Sequence, residues 1–311
     1  MIWLLPPGRL RHRLYMVLTA REIREAVRRA LAEDLGGGDV TTRAVVPATA
    51  QARAHVVARE PVVVAGLAFA EAAFQAMSPH VRLLRNVSDG DEVRAAMPLL
   101  TVSGPAQALL SAERVALNFL QRLSGIATLT ARYVAAIAGT QARILDTRKT
   151  TPGWRRFEKY AVACGGGTNH RFGLFDQVLI KDNHLATLAG RHRDPVAVAV
   201  QRARTAFPRL RIEVETDTLR QVRQAVAAGA EIILLDNMPL ALLRKAVTLV
   251  RGRALTEASG GVTLQTARAI AETGVDYISV GALTHSAPAV DLARDFEPGK
   301  QTARSRGRGK P

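Results

Sequence analysis

The sequence predicts an α/β fold in which a parallel sheet or barrel follows a smaller α+β region. Two features of the second half indicate the sheet. Short β-branched runs alternate with amphipathic helices from residue 143 onward, and the later helices end at Gly229, Gly252 and Gly274, just before the next run. Before residue 143, helices and strands follow one another without this rhythm, which indicates a separate region of mixed elements.

The first predicted element is an amphipathic helix over residues 19–34. Thr19 can cap its first turn, and Gly36–Gly38 can end it. The apolar residues that share one face of this helix are Ile23, Val27, Ala30 and Leu31. The other elements expected before residue 143 are extended structure over 51–64 with a break at Pro61, a helix over about 67–77, strands near 81–87 and 98–103, and two consecutive helices over 106–138, the second ending at Gly139.

Six runs in the second half have the length and composition of buried strands. Right-handed crossover connections would bring the carboxyl ends of all six to one rim, which is where active sites of such folds lie. Each run leads into polar or glycine-rich residues, while the interiors are apolar, so we expect the functional site at this rim. The runs are RILDT (143–147), QVLIK (177–181), RIEVE (211–215), EIILLD (231–236), ALTEAS (254–259) and DYISVG (276–281).

Five cationic side chains lie directly after the first run, at the end of the second, or in the segment between them. They would repel one another unless an anion lies between them, and Arg and Lys are the residues that bind carboxylates and phosphates. An anionic ligand is therefore expected, although one or two of the cations can instead form ordinary ion pairs with Glu158, Glu215 or Asp236. The five are Arg148, Lys149, His170, Arg171 and Lys181.

Two glycine-containing turns, Ser259-Gly260-Gly261 and Gly281-Ala282, follow the last two runs, and each precedes a helix. Backbone N–H groups at such turns approach an anion closely, so the pair predicts a site for a sugar 5′-phosphate. Glu215 and Asp236 end two other runs and are expected to accept hydroxyl groups or to bind Mg²⁺. Pairing with Lys181 is an alternative that excludes neither role.

Composition narrows the class of protein. Of the 311 residues 48% are apolar, which excludes global disorder. The formal net charge is +16, with +3 in residues 1–16 and +5 in residues 300–311. Half of the charge therefore lies in terminal tails, 1–18 and 299–311, that we expect to be disordered, with Met16 as an alternative start. The rest favours an anionic substrate over a nucleic acid, for which the sequence holds no binding motif.

The single cysteine excludes a disulfide within the chain and fits a reducing compartment, and no apolar run approaches the length of a membrane span. We therefore expect a cytoplasmic protein that does not enter a membrane.

Seven blocks of the sequence together resemble quinolinate phosphoribosyltransferase, the decarboxylating enzyme of NAD biosynthesis. The same family is also called nicotinate-nucleotide pyrophosphorylase (carboxylating), a name that describes the reverse reaction. The resemblance extends from about Thr19 to Asp295, and its long blocks are highly specific. The blocks are ERVALN (113–118), DTRKTTPGWRRFEKYAV (146–162), CGGGTNHRFGLFDQVLIKDNH (164–184), IEVE (212–215), LLDNM (234–238), EASGGV (257–262) and ISVGALTHSAPAVDLARD (278–295).

The resemblance implies an N-terminal α/β sandwich, residues 19–115, joined to an incomplete, TIM-like α/β barrel of about six to seven strands, residues 116–287. The end of the chain, about 288–298, would return to the sandwich. The family works as a homodimer or as a higher assembly such as a hexamer, in which the neighbouring subunit completes each active site. It transfers phosphoribose from phosphoribosyl pyrophosphate to quinolinate with Mg²⁺ and releases CO₂.

The resemblance also assigns site residues. Arg114 would reach into the partner's site, and Lys149, Lys181, Glu215 and Asp236 would be the catalytic residues. The residues expected in the quinolinate pocket are Thr147, Arg148, His170, Arg171 and Lys181. Those expected to face phosphoribosyl pyrophosphate and its Mg²⁺ are Lys149, Glu215, Asp236, Ser259, Gly260, Gly261, Val280, Gly281 and Ala282, with Glu215 and Asp236 as the metal ligands, directly or through water.

Two other enzymatic readings stay open at this point. Lys181 at a strand end could form a Schiff base, as in barrel aldolases. A related pyrophosphorylase could also act on another nitrogen base, because a pocket for a dianion favours quinolinate without excluding relatives of it.

Overall fold

The computed structural model describes residues 17–190 and 192–297, and the expectations for the N-terminal leader and the basic tail fall mostly outside these residues. The described chain divides into two compact units. One contains residues 19–62, 66–121 and 290–297, and the other contains 17–18, 63–65 and 122–289. The domain limits expected from the sequence remain predictions.

The first unit is built around a four-stranded sheet with the strand order β12-β1-β5-β3, in which every pairing is antiparallel. Its strands are β1 (Gln51–Ala58), β3 (Arg82–Arg85), β5 (Pro98–Pro105) and β12 (Leu292–Phe296), and its helices are α1 (Ala20–Leu35), α2 (Val40–Val45) and α3 (Leu67–Met77). Two shorter strands, β2 (Val62–Val63) and β4 (Glu92–Val93), complete this part of the chain.

Helix α1 confirms the first element predicted from the sequence. Thr19 and Glu22 form a capping box, since the Thr19 side chain accepts from the Glu22 amide and the Glu22 carboxylate accepts from the Thr19 amide. Ile23, Val27 and Leu31 are buried on one face. The helix therefore begins and ends for the local reasons that the sequence indicated.

The two consecutive helices expected over 106–138 are in fact one helix, α4 (Ala106–Ala136). Gly125 lies within this helix and serves close packing, because a Cβ atom there would lie 2.0 Å from the carbonyl oxygen of Pro288. Helical glycine is tolerated where packing requires it, so the prediction of two helices was wrong for a tertiary reason that local propensity does not contain.

The second unit holds a six-stranded parallel sheet with the order β6-β11-β10-β9-β8-β7. The six predicted runs are confirmed as strands, and the first and second runs form its two edges. The strands are β6 (Arg143–Leu145), β7 (Val178–Ile180), β8 (Ile212–Thr216), β9 (Ile232–Asp236), β10 (Leu255–Ser259) and β11 (Tyr277–Ser279). The helices that follow α4 are α5 (Arg155–Cys164), α6 (Asp182–Ala189), α7 (Pro195–Ala206), α8 (Leu219–Ala227), α9 (Leu240–Val250), α10 (Leu264–Ala271) and α11 (Ala282–His285).

The sheet is an incomplete barrel, because β6 and β7 do not pair within the described residues. Beside the free edge of β6, Thr168 forms a single parallel bridge with Leu145. The Thr168 amide donates to Ile144 O at 2.8 Å, and the Asp146 amide donates to Thr168 O at 3.2 Å. Thr168 thus extends the sheet by a single residue beside β6, where a complete barrel would have a further strand.

The sheet brings the carboxyl ends of its strands to one rim, as the crossover rule requires. Helices α8 and α10 each begin with a capping box at Thr218 and Thr263, directly beyond β8 and β10. Within the described residues, no helix is both long and apolar enough to cross a membrane.

Candidate active site

A cavity of about 930 Å³ lies at the carboxyl ends of the strands in the second unit. It is lined by every residue that the sequence predicted for substrate binding except Arg114. These are Thr147, Arg148, Lys149, His170, Arg171, Lys181, Glu215, Asp236, Ser259, Gly260, Gly261, Val280, Gly281 and Ala282. Residues from six strand ends, far apart in the chain, therefore share one hollow.

Arg114 does not belong to this cavity. It lies on α4 in the first unit and is exposed, while its neighbour Glu113 pairs with the buried Arg294 of β12. The role expected for Arg114 in a partner's site is a property of an assembly and stays a prediction.

Three of the cavity cations form no ion pair within the described part of the chain: Arg148, Lys149 and Arg171. The Nε atom of Arg148 is buried and has no hydrogen-bond partner among these residues. Arg171 is buried, and its Nη1 donates to Gln177 O at 3.3 Å. Burial and the positive charge of Arg148 lower the pKa of Arg171 from its usual value. A buried guanidinium group beside a second one, neither of them paired with a carboxylate among the described residues, makes a strong site for an anion.

The other two cations have carboxylate partners. Lys181 Nζ lies 3.3 Å from Glu215 Oε2, which is the pairing that the sequence left open. Asp236 has no cationic partner in the described residues, and its Oδ2 accepts a hydrogen bond from Asn237 Nδ2 at 2.7 Å. Glu158 pairs with Arg122 instead of a cavity cation. Ordinary ion pairing therefore accounts for only part of the positive charge.

His170 lies against two carboxylates that sequence reasoning did not single out. Its Nε2 is 3.1 Å from Glu213 Oε2 and 3.5 Å from Glu257 Oε2. Burial by itself would lower the pKa of His170, but the hydrogen bonds and charges of Glu213 and Glu257 outweigh it and raise the pKa to about 10. The Arg171 amide, which donates to His170 Nδ1 at 2.7 Å, acts in the opposite direction because a protonated Nδ1 cannot accept. The two carboxylates therefore favour the imidazolium, whereas the Arg171 amide favours a neutral ring that carries its proton on Nε2.

Glu213 and Glu257 were missed because they occupy strand positions that a sequence pattern assigns to the core. Each is almost fully buried, and each has one carboxylate oxygen, Oε1, without a hydrogen-bond partner in the described residues. With His170 they form a group whose ligand-type atoms lie within 4.8 Å of one another. The only sign in the sequence that Glu213 and Glu257 belong to the site was the presence of a charged residue at a strand position that should face the core.

A second buried network fixes the glycine-rich segment before His170. Lys159 Nζ donates to Asp146 Oδ1, and Asn169 Nδ2 donates to Asp146 Oδ2 at 2.6 Å. The His170 amide donates to Asp146 Oδ1 at 2.8 Å. At Gly165 a Cβ atom would lie 2.3 Å from Ala127 O, so the segment packs as bare backbone against α4. This arrangement explains how two adjacent residues, His170 and Arg171, both reach the cavity.

The glycine turns lie where they can contact a ligand. Gly260 has φ of +93°, and Gly281 is the N-terminal cap of α11. A Cβ atom at position 281 would lie 3.0 Å from Lys149 Cδ and 3.1 Å from His285 Nε2. Lys149 and His285 therefore occupy the space beside this turn, and His285 is a further cavity residue that the sequence did not indicate.

Comparison with known proteins places the chain in a family. Residues 39–124 match the N-terminal domain and residues 126–295 the C-terminal domain of quinolinate phosphoribosyl transferase. The chain belongs to the quinolinate phosphoribosyltransferase family. The resemblance of the seven sequence blocks is thereby confirmed, as is the expected fold of a barrel-type sheet with a separate N-terminal sheet.

Individual members of the quinolinate phosphoribosyltransferase family are similar over nearly their whole length. The chain is 46% identical over 279 residues to nicotinate-nucleotide pyrophosphorylase [carboxylating] of Mycobacterium leprae, covering 88% of this chain and 96% of that protein. It is 42% identical over 306 residues to quinolinate phosphoribosyltransferase [decarboxylating] 2, mitochondrial, of Nicotiana glauca, covering 91% and 86%. The solved nicotinate-nucleotide pyrophosphorylase of Francisella tularensis superimposes with a TM-score of 0.86 at 37% identity, covering 91% and 99%.

Proposed function

We propose that this protein transfers the phosphoribosyl group of phosphoribosyl pyrophosphate to the ring nitrogen of quinolinate and releases CO₂. The products are nicotinate mononucleotide, pyrophosphate and CO₂, a step of NAD biosynthesis. The observation that carries the proposal is the single cavity in which Arg148, Lys149 and Arg171 have no anionic partner among the described residues. The names of the similar proteins support the same reaction.

Quinolinate is a dianion, and the guanidinium pair Arg148 and Arg171 supplies two forks for its carboxylates. Thr147, His170 and Lys181 complete this part of the cavity. Gripping both carboxylates fixes the orientation of the ring, so that its nitrogen faces the anomeric carbon of the second substrate. Most of the rate enhancement expected here comes from such positioning.

The glycine turns at 259–261 and 281–282 bind the phosphate groups of phosphoribosyl pyrophosphate through backbone N–H groups. Glu215 and Asp236, at the ends of neighbouring strands, accept hydrogen bonds from the ribose hydroxyls. As the pyrophosphate departs, positive charge develops on the ribose, and these two carboxylates stabilise it. Lys149 stabilises the negative charge on the departing pyrophosphate.

Magnesium fits the residues of this site. Glu215 and Asp236 present two partly exposed carboxylates to the cavity, which is the hard oxygen donor set that Mg²⁺ prefers when substrate phosphates and water fill its other positions. When bound, Mg²⁺ would neutralise pyrophosphate charge. The His170–Glu213–Glu257 group, with its nitrogen donor and buried carboxylates, is less suited to it.

After transfer, the bond between ring C2 and its carboxylate breaks, the carboxylate leaves as CO₂, and the electron pair stays on C2, where the adjacent cationic ring nitrogen stabilises it. A proton from water then adds to C2 and gives nicotinate mononucleotide. No covalent bond to the enzyme is needed. Lys181 supports this view, since its side chain is about half exposed, 48%, and its ammonium group pairs with Glu215, whereas a Schiff-base lysine is activated by desolvation. Borohydride trapping with a carbonyl substrate separates the two chemistries, and we expect no trapped adduct.

The assembly proposed for this protein is a homodimer with shared sites, which can associate further. The exposed position of Arg114 on α4 supports a contact outside its own subunit. A cytoplasmic location is proposed from the single cysteine, Cys164.

One assay tests the function directly. Purified protein is mixed with carboxyl-labelled quinolinate, phosphoribosyl pyrophosphate and Mg²⁺, and released CO₂ is counted together with nicotinate mononucleotide. We expect CO₂ and nucleotide in equal amounts, loss of both when Mg²⁺ is chelated, and little product when nicotinate replaces quinolinate. Turnover of nicotinate at a similar rate would instead favour a pyrophosphorylase for another base.

A further inference from the structure

Thr284 is a fully buried residue of α11 that contacts the wall of the cavity from outside it. Its Oγ1 donates to the backbone carbonyl of Lys149 at 2.7 Å and lies 3.3 Å from Gly281 O. Lys149 follows β6, and Gly281 follows β11, the strand that pairs with β6. One hydroxyl group therefore connects the ends of two neighbouring strands at the rim.

A partly buried ion pair, Arg122 with Glu158, holds the same two segments. Arg122 Nη2 donates to Thr284 O at 2.5 Å, and Arg122 Nη1 donates to Ala287 O at 2.8 Å. The same Nη2 lies 2.8 Å from Glu158 Oε1, and Glu158 is fully buried. Glu158 in turn accepts hydrogen bonds from the amide of Thr151 at 3.1 Å and from its hydroxyl at 2.8 Å. Two residues of the loop after β6 are thus linked to α11, Lys149 directly and Thr151 through Glu158 and Arg122.

These contacts act on Lys149 more than on Arg148. The Arg148 carbonyl is held separately by the Thr150 amide at 2.9 Å, and Arg155 Nε holds the Thr150 hydroxyl at 3.1 Å. The Lys149 carbonyl has the Thr284 hydroxyl instead. Lys149 Cδ already lies 3.0 Å from the position of a Cβ at Gly281, so the spacing between lysine and turn is tight.

We propose that Thr284 is a positioning residue, which sets the distance between Lys149 and the Gly281 turn and thereby the affinity of the cavity for the pyrophosphate end of phosphoribosyl pyrophosphate. The inference rests on the proposed function, because it assigns that end of the substrate to Lys149. Displacement of a binding group by about 1 Å can reduce catalysis substantially even when the displaced residue is chemically intact. Thr284 itself touches neither substrate.

The test compares Thr284→Val, which removes the hydroxyl at nearly constant shape, with Thr284→Ser, which restores it. Thr273→Val is the matched control, because Thr273 is also buried and donates to a backbone carbonyl, Ile270 O at 2.6 Å, outside the cavity. For each protein, kcat and KM are measured with both substrates, together with inhibition by inorganic pyrophosphate and the melting temperature.

We expect Thr284→Val to lower kcat/KM for phosphoribosyl pyrophosphate about tenfold and to weaken pyrophosphate inhibition in parallel, while KM for quinolinate changes by less than about twofold. Thr284→Ser should recover most of the loss, and Thr273→Val should show none of it. Equal effects on both substrates, or kinetics like those of Thr273→Val, would overturn the proposal.

If the wild-type protein does not convert quinolinate and phosphoribosyl pyrophosphate to product, the proposed function itself is refuted. That outcome depends on the wild-type assay alone and is therefore distinct from any effect of the variants. Should Thr284→Val fail to fold, Arg122→Lys takes its place with the same expectation. That variant keeps the positive charge beside Glu158 but loses the planar fork that reaches the carbonyls of Thr284 and Ala287. Normal kinetics in Arg122→Lys would equally overturn the proposal.

Discussion

Asn237 fills the space that a side chain at Gly260 would need. Its Oδ1 lies 2.1 Å from the position of a Cβ at residue 260, and both residues have positive φ, +51° for Asn237 and +93° for Gly260. The backbone N–H of Asn237 donates to Ser259 O at 2.9 Å, and the side-chain Nδ2 of Asn237 donates to Asp236 Oδ2. The expected phosphate turn and the expected ribose-binding carboxylate are therefore packed against each other through one asparagine.

Gly260→Ala should consequently damage both features. We expect kcat/KM for phosphoribosyl pyrophosphate to fall at least about tenfold and stability to drop by roughly 1–3 kcal/mol, because the methyl group overlaps Asn237 and the backbone is strained. Steady-state kinetics and urea unfolding provide the measurements. The control is Gly190→Ala, where φ is −72° and nothing lies within 4 Å of the added atom. Normal activity of Gly260→Ala would show that the turn does not bind substrate.

Arg148→Ala should lose at least about tenfold in kcat/KM for quinolinate, or ~1.4 kcal/mol of transition-state stabilisation. The reason is that Arg148 has a buried Nε atom without a hydrogen-bond partner in the described residues, and a bound carboxylate would supply that partner. Arg244→Ala, at an exposed position on α9, controls for the loss of one positive charge. Near-normal kinetics would remove Arg148 from the pocket.

Two inactive variants should complement each other if the active site is shared. Arg114→Ala and Lys181→Ala are co-expressed, and the activity of the mixture is compared with each variant alone. In a mixed dimer one site keeps both residues, so random association should restore about a quarter of the wild-type activity. If mixed dimers form, as shown by two different affinity tags, and yet stay inactive, Arg114 does not act across subunits.

His170 should remain protonated well above neutral pH. Its pKa is raised from 6.5 to about 10 by Glu213 and Glu257 in spite of burial. A raised pKa means that the stabilisation from this contact is complete below about pH 6.5 and is lost as the pH rises towards 10. Nitrogen NMR of the imidazole, assigned with a His170→Gln variant, should show the cation at pH 8. A ring that is neutral at pH 8 would show that the Arg171 amide governs the ring.

The fold could be predicted where the structure of a segment is determined by residues close to one another in the sequence. Thr19 and Glu22 cap α1 by contacts within four residues, and the strand runs that alternate with helices determine the parallel sheet. The common hand of the crossovers likewise brought residues that follow the strands, such as Arg148 and Lys181, to one rim. These features needed no knowledge of distant contacts.

The remainder depends on residues that meet only in the folded chain. In the sequence Gly125 only weakens a helix, and the folded chain alone shows that it lies within the continuous helix α4 and packs against Pro288. Glu213 and Glu257 could not be assigned as partners of His170, because the three residues come from separate segments and no spacing connects them. Lys159 was overlooked in the same way, since its buried partner Asp146 precedes it by a whole loop.

The single bridge at Thr168 has a practical meaning for anyone who wishes to retune this enzyme. Two residues beyond it, His170 and Arg171 enter the cavity, so the segment that seals the gap in the wall also carries part of the recognition chemistry. Redesign towards a different pyridine acid cannot treat these two tasks independently. The segment to transfer or to vary is therefore the whole stretch from β6 to β7, and the bridge between Thr168 and Leu145 should be preserved.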